Sequence, residues 1–122
     1  MLLTREIVQQ SERFEIVEVD VSEWGNIDPE TGKPERTTVF VREMSAWERD
    51  GWESSLTYEK KGKRKFNFIN ARARLAVIVC CDENRQPVFR PEDADWLGRK
   101  SVRPLERIFK AAKFRGLSRE SA

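Results

Sequence analysis

Three groups of side chains in this sequence have residue types that could do chemistry. An acidic run between Glu92 and Asp95 could supply a carboxylate pair, and residues 82–84 (Asp-Glu-Asn) could bind a cation. Cys80 and Cys81 could bind a metal or act as nucleophiles. The cysteines and residues 82–84 lack the spacing that their chemistry needs, because adjacent cysteines do not match a zinc site and no calcium-loop pattern surrounds residues 82–84. Acids at positions 92–95 ordinarily complement the positive end of a helix.

Histidine is absent from the chain, which excludes Ser-His and Cys-His nucleophilic pairs and histidine metal sites. Gly25 and Gly32 stand alone, so the sequence has no glycine-rich phosphate-binding loop. We therefore expect a protein that is not an enzyme and that needs no cofactor. Two adjacent cysteines cannot build a disulfide framework, and they indicate a reducing, cytoplasmic setting.

The composition is typical of a soluble protein with one domain spanning residues 1–122. With 39% hydrophobic and 36% charged residues, the chain can form one core beneath a highly charged surface. Its 23 basic and 21 acidic residues leave a net charge of +2, which argues against a dedicated DNA-binding module, so nucleic acid is not expected as a partner. The longest apolar run, residues 75–81, is far shorter than the ~20 residues that cross a bilayer, so no membrane contact is expected.

The first half of the chain predicts a short helix followed by a β-hairpin. Thr4 is a suitable N-cap for a helix, and residues 13–21 alternate valines with acids as a half-buried strand does. Residues 25–36 contain two glycines and two prolines, which are turn signals, and residues 37–42 form the next strand. The two strands are expected to pair across this long loop.

A capping box at Ser45 and Glu48 predicts a second helix, which should run to about Tyr58. Its expected buried anchors are Trp47, Trp52 and Leu56. The segment between Lys60 and Lys65 then has five positive charges in six residues. We interpret it as a solvated loop, because short runs of charge are ordinarily solvent-exposed.

Residues 68–81 are the most ambiguous part of the sequence. The β-branched run at 75–79 suits a buried strand, whereas the alanines at 71, 73 and 76 favour a helix. We predict a helix that is central to the core, with Cys80 and Cys81 as small buried side chains.

The last part of the chain predicts a short acidic helix over residues 91–98 and a longer amphipathic helix over residues 101–116. Pro91 and Pro104 fall in the first turns of these helices, where a missing amide does least harm. The apolar side chains of the final helix form one stripe, namely Val102, Leu105, Ile108, Phe109 and Ala112. The predicted fold class is α+β, with a small N-terminal β-hairpin packed on a mostly helical C-terminal part.

The order of these segments resembles the tail assembly chaperones of long-tailed bacteriophages and prophages, over about residues 4–116. Members commonly have an acidic strand ending in Trp-Gly, a strand leading into a helix, an Asn/Ala/Arg-led apolar helix ending in an Asp-rich turn, a phenylalanine, a short acidic helix and a final amphipathic helix. The corresponding segments here are residues 21–25, 39–50, 70–84, 89, 91–98 and 101–116. The loop at residues 25–36 is longer, and the segment at 60–65 more basic, than this family pattern leads us to expect.

The resemblance implies a non-enzymatic assembly chaperone. It would bind the tape measure protein, a long and largely helical chain, and hold it soluble in the host cytoplasm while tail tube subunits polymerise around it. Many members also have a longer product made by ribosomal frameshifting, whose extension recruits the tail tube protein. The family is expected to be absent from the mature virion.

A groove or helical face with adaptable apolar anchors would suit such a partner. The candidate partner-binding residues lie on the last two helices, namely Trp96, Leu97, Ile108, Phe109 and Phe114. The alternative is that these residues simply close the core. A homo-oligomer is compatible with the role, because several linked copies would coat a long rod more tightly than one.

Two other functions are compatible with the sequence. A small nucleic-acid-binding protein could use the basic segment between Lys60 and Lys65, near Phe66 and Phe68, and would bind with a steep salt dependence. Three further basic residues would contribute to that surface, namely Arg99, Lys100 and Arg103. A structural tail component or a head–tail joining protein would instead remain in purified particles.

Overall fold

Short strands and short helices follow one another along residues 1–113, which are the residues described by the computed structural model. The helices in this part of the chain are α1 (Arg5–Gln10), α2 (Ala46–Ser54), α3 (Ala71–Val79), α4 (Ala94–Leu97) and α5 (Val102–Lys113). The strands are β1 (Ile16–Asp20), β2 (Thr38–Arg42), β3 (Thr57–Lys60), β4 (Lys63–Phe66) and β5 (Cys80–Cys81). Single 3₁₀ turns lie at Ser22–Trp24 and Pro91–Asp93.

The predicted N-terminal hairpin is confirmed. Strands β1 and β2 pair antiparallel from Ile16 opposite Arg42 to Asp20 opposite Thr38, and β2 also pairs with β5 in the order β1-β2-β5. The inward valines of the sheet pack against α5 and belong to the same core cluster as α3, whereas Glu18 and Asp20 are exposed. With a sheet at the N-terminal side and helices towards the C-terminus, the α+β prediction is confirmed.

Helix α3 is the centre of the core. Ala73, Leu75, Ala76 and Val79 have no exposed surface, as expected for a helix that is apolar around most of its circumference. The predicted helix nevertheless ends two residues early. Cys80 has φ −74° and ψ 125°, so the chain leaves the helix there and pairs with the middle of β2. The helix prediction is therefore confirmed for residues 71–79, including the run at 75–79 that also suited a strand, and it is wrong at Cys80 and Cys81, which form β5.

The capping box at the start of α2 is confirmed. The Ser45 hydroxyl accepts a hydrogen bond from the Glu48 backbone N–H at 3.1 Å, and Glu48 accepts one from the Ser45 N–H at 3.0 Å. The helix ends at Ser54 rather than Tyr58.

The two tryptophans of α2 have different environments. Trp52 is 3% exposed, and its indole N–H donates to the Ala71 carbonyl at 3.0 Å. Trp47 is 87% exposed, so its expected burial is wrong. Five residues turn a helix through about 140° beyond a full circle, so both rings cannot face the same core.

The basic segment is a β-hairpin, and its prediction as a loop is wrong. Strands β3 and β4 pair antiparallel, with Thr57 opposite Phe66 and Lys60 opposite Lys63. Lys61 and Gly62 connect them with φ values of 53° and 73°. Two successive positive φ angles are the geometry of the tight turn that best matches the twist of paired strands.

Helix α1 contributes nothing to the core. Thr4 caps it as predicted, since its hydroxyl accepts from the Ile7 N–H at 3.3 Å. Every residue from 1 to 15 is exposed, including the apolar side chains of Leu3, Ile7 and Val8.

Gly98, just after α4, lies against the residue that precedes α3. A Cβ atom at this position would overlap the side-chain amide of Asn70, which donates to the Ala94 carbonyl at 2.9 Å. We expect Gly98→Ala to destabilise the fold by about 2 kcal/mol, because the amide must move and its hydrogen bond is lost. Thermal unfolding followed by circular dichroism measures the effect. Gly51→Ala is the matched control, because a Cβ there meets nothing within 4 Å and alanine favours α2. A melting temperature for Gly98→Ala equal to that of the wild type would contradict the proposed packing.

Candidate partner-binding surface

The side chains that could do chemistry have structural roles instead. Cys80 and Cys81 are free thiols in the core, and burial raises the pKa of Cys80 to about 12, so it stays protonated. One carboxylate oxygen of Asp82 accepts from the backbone N–H groups of Asn84 and Gln86, and so closes the turn after β5. Among the described residues, no three acidic or cysteine side chains are arranged to hold a metal ion. In the same part of the chain, no helix is long and apolar enough to cross a bilayer.

The structure separates the residues predicted to bind a partner. Leu97 is 1% exposed and Ile108 has no exposed surface, so both lie in the core. Phe109 is partly buried, with its ring centroid 6.0 Å from that of Trp52. Trp96 is 46% exposed. Phe114 lies outside the described residues.

Trp96 ends a row of three aromatic rings, which we call the aromatic row. Its ring meets that of Phe89 at 6.1 Å and 68°, and Phe89 meets Trp24 at 6.4 Å and 85°. Edge-to-face contacts of this kind hold the rings in fixed orientations. The indole N–H of Trp96 donates to Asp93 at 3.0 Å, so one edge of an otherwise apolar ring is fixed while its outer part faces solvent.

A second surface with exposed apolar side chains, which sequence reasoning missed, lies beside α4. It is an open groove of about 410 Å³ between the start of α3, helix α4 and the start of α5. Its apolar walls are unusually exposed, since Phe68 is 64%, Ile69 80% and Val102 50% accessible. Arg72, Asp95 and Arg99 also line it, together with residues of its floor.

The groove continues towards the basic hairpin. Phe66 and Phe68 stack with ring centroids 5.7 Å apart and an angle of 9°, and both also line a second hollow beside α2. We call the surface formed by Phe66, Phe68, Ile69 and Val102 the apolar groove. Large exposed apolar side chains that lie close together, here interspersed with charged ones, are typical of an interaction site.

An ion-pair cluster fixes α5 to the end of β1. Both carboxylate oxygens of Glu23 accept from Arg107, at 2.7 and 2.6 Å, and Arg107 also donates to the Asp20 carbonyl at 3.0 Å. Arg103 approaches the same carboxylate at 3.7 Å. The hydrogen bonds from Arg107 lower the pKa of Glu23 from its ordinary value of 4.5 to about 2.

This lowered pKa predicts a pH dependence of stability. A carboxyl whose pKa is lower in the folded state stabilises the fold fully above its unfolded pKa, and the stabilisation is lost as the pH falls towards the folded pKa. The melting temperature of the wild type should therefore fall between pH 4.5 and pH 2 more steeply than that of Glu23→Gln. Glu30→Gln removes an exposed carboxylate elsewhere and should follow the wild type. Identical pH profiles for Glu23→Gln and the wild type would refute this role of Glu23.

Comparison with known proteins agrees with the resemblance in the sequence. The family model described as phage tail assembly chaperone matches residues 3–114. A solved structure of the bacteriophage HK97 tail assembly chaperone is similar at 20% sequence identity, with a TM-score of 0.48, over 88% of this chain and 97% of that one. No curated protein matches the sequence. Because the family model spans nearly the whole chain, this protein belongs to the phage tail assembly chaperones.

Proposed function

We propose that this chaperone binds the tape measure protein and keeps it soluble in the host cytoplasm while the tail tube polymerises around it. Family membership supports a role in tail assembly. The observation that favours a helical partner is the apolar groove, whose walls are at least half exposed.

The groove has the properties that a helix-binding surface needs. An amphipathic helix contacts its receptor through apolar side chains spaced three or four residues apart, and these fit between rigid walls. Phe66 and Phe68 are held by their mutual stacking, and Val102 begins α5. Such a surface can shield apolar stretches of a long helical chain, and the exposed charges of Arg72, Asp95 and Arg99 in its lining can pair with polar side chains that flank those stretches.

Trp96 is the member of the sequence-predicted set that we propose as a direct contact. It lies on α4, and Asp95 of this helix and Gly98 just after it line the groove. Phe109 of α5, which is only partly buried, remains a proposed contact, as does Phe114, which lies outside the described residues. Leu97 and Ile108 hold the core beneath this surface, so we propose that they support the partner-binding residues without touching the partner.

Two further properties belong to the same proposal. Several copies bound along one tape measure protein would gain affinity through linkage, so we propose a homo-oligomer on the partner. A longer frameshifted product would add the extension that recruits tail tube protein. The chaperone would then leave as the tube closes and would be missing from finished particles.

Co-expression with the adjacent, largest tail gene tests the function. We expect a soluble complex on pull-down, with a native mass that gives the copy number, whereas the large protein alone precipitates. An insoluble large protein, with this chain eluting alone, would contradict the proposal. Mass spectrometry of purified particles distinguishes the chaperone from a structural tail or head–tail joining component, because such a component stays in the particle.

A further inference from the structure

We propose that the β3–β4 hairpin is a binding site for single-stranded nucleic acid. This inference goes beyond tape-measure binding and does not depend on it. The proposal rests on how the two strands arrange their charged and aromatic side chains. This arrangement could not be foreseen while the segment was interpreted as a solvated loop.

One face of the hairpin combines an aromatic ring with three lysines. Tyr58 lies opposite Lys65, and Lys60 lies opposite Lys63. Side chains two apart on a strand, and those directly opposite, project from the same side. These four side chains therefore share one face, and all of them are exposed. We call it the lysine face.

The lysine face points away from the body of the protein. The opposite face contains Thr57, Arg64 and Phe66, and these three residues line the hollow beside α2. Glu59, the hairpin's acidic residue, lies opposite Arg64 and so projects from that inner side. The lysine face has no carboxylate of its own.

Within the part of the chain that the structure describes, these lysines form no ion pair. The ion pairs found within residues 1–113 join arginines to glutamates, at 42–48, 49–53, 103–23 and 107–23, and none of them includes a lysine of the hairpin. A surface cation without a partner is free to replace the counterions of a phosphate backbone.

Although the net charge is only +2, the basic and acidic residues are distributed unevenly along the chain. Residues 1–59 include six of the 23 basic and 14 of the 21 acidic residues, so residues 60–122 have 17 basic and seven acidic residues. Such asymmetry between halves is typical of proteins with a polyanionic partner. The balanced total therefore does not exclude nucleic acid binding by the second half.

Tyr58 makes a single strand the better fit than a duplex or an acidic protein. An unpaired base can stack on an exposed tyrosine ring, and lysines about 6.7 Å apart along a strand can contact neighbouring phosphates. Paired bases cannot reach the ring, and carboxylates of a protein gain nothing from stacking. We therefore expect sequence-tolerant binding to RNA or DNA single strands.

Fluorescence anisotropy with labelled 20-nucleotide oligouridylate and oligothymidylate tests the proposal. We expect binding by the wild type that weakens steeply with salt. The triple variant Lys60→Gln, Lys63→Gln, Lys65→Gln should bind about 100-fold more weakly at ~0.1 M salt, with a salt slope smaller by about 2. Tyr58→Ala should weaken binding about tenfold, whereas Tyr58→Phe should keep it.

A matched control removes three exposed cations elsewhere, at Lys33, Arg36 and Lys110. It has the same net charge as the triple lysine variant, and it should bind within about threefold of the wild type. Equal losses in the two triple variants would overturn the proposal, as would the absence of wild-type binding. Tighter binding to a 20-bp duplex, or to polyglutamate of equal charge, would also overturn it and would identify a duplex or an acidic protein as the partner. Circular dichroism confirms that each variant is folded.

Discussion

Replacing Phe68 and Ile69 by glutamate is expected to abolish solubilisation of the tape measure protein while leaving the chaperone folded. Both side chains form walls of the apolar groove and are 64% and 80% exposed, so the substitutions disturb little of the core. Burying two such side chains against a partner contributes about 4 kcal/mol. Their loss should weaken binding about 1,000-fold, and charge in the groove adds a further penalty.

The measurement is the fraction of tape measure protein in the soluble extract after co-expression. Trp47→Glu with Ile27→Glu is the matched control, because these residues are equally apolar, 87% and 57% exposed, and outside the groove. Trp96→Glu in a third variant tests whether the aromatic row also contacts the partner. Full solubilisation by the Phe68–Ile69 variant would exclude the groove as the site, even if the chaperone function itself is correct.

Truncating the buried pair Leu97 and Ile108 should act on stability instead. Each side chain is at most 1% exposed, and Leu→Ala or Ile→Ala at such positions ordinarily costs about 3 kcal/mol through lost contacts and a residual cavity. For a chain of this length, the melting temperature should fall by about 12 °C for each substitution. The double variant should lose about 6 kcal/mol, which is comparable to the whole folding free energy of a protein at the lower end of the usual range of about 5–15 kcal/mol.

Chemical denaturation of each single variant, with Val102→Ala as an exposed control, provides the test. Leu97 lies on α4 and Ile108 on α5, so each single variant measures the contribution of one helix's contacts to stability. An Ile108→Ala chaperone that is as stable as the wild type but fails to bind the tape measure protein would show that Ile108 is a direct contact. That result would restore the role first inferred for it from the sequence.

Local signals in the sequence were sufficient for the elements that depend on local interactions. The Ser45–Glu48 capping box is satisfied within four residues, and the β1–β2 pairing follows from alternating valines and acids. The central position of α3 follows from its apolar composition alone. Each of these features could be predicted without knowing what the element packs against.

Features that depend on the chain around them were missed. The dense charge between Lys60 and Lys65 concealed a two-residue turn at Lys61 and Gly62, whose backbone requirement is visible only once the flanking strands are recognised. Trp47 and Trp52 are chemically alike, and only the direction of α2 decides which one is buried. The apolar groove is invisible in the sequence because Ile69 and Val102, 33 positions apart, line the same groove only in the folded chain.

The isolation of α1 makes this helix a natural reporter. Six residues are too few to form a stable helix in water without tertiary contacts, and none of its side chains is buried. Amide hydrogens in Arg5–Gln10 should therefore exchange with solvent close to the unfolded rate in the lone chaperone. Any molecule that covers Leu3, Ile7 and Val8 would slow this exchange, whereas the exchange rates of the core amides would not change. Deuterium uptake by one peptide that contains α1 would therefore report directly on the binding of a partner.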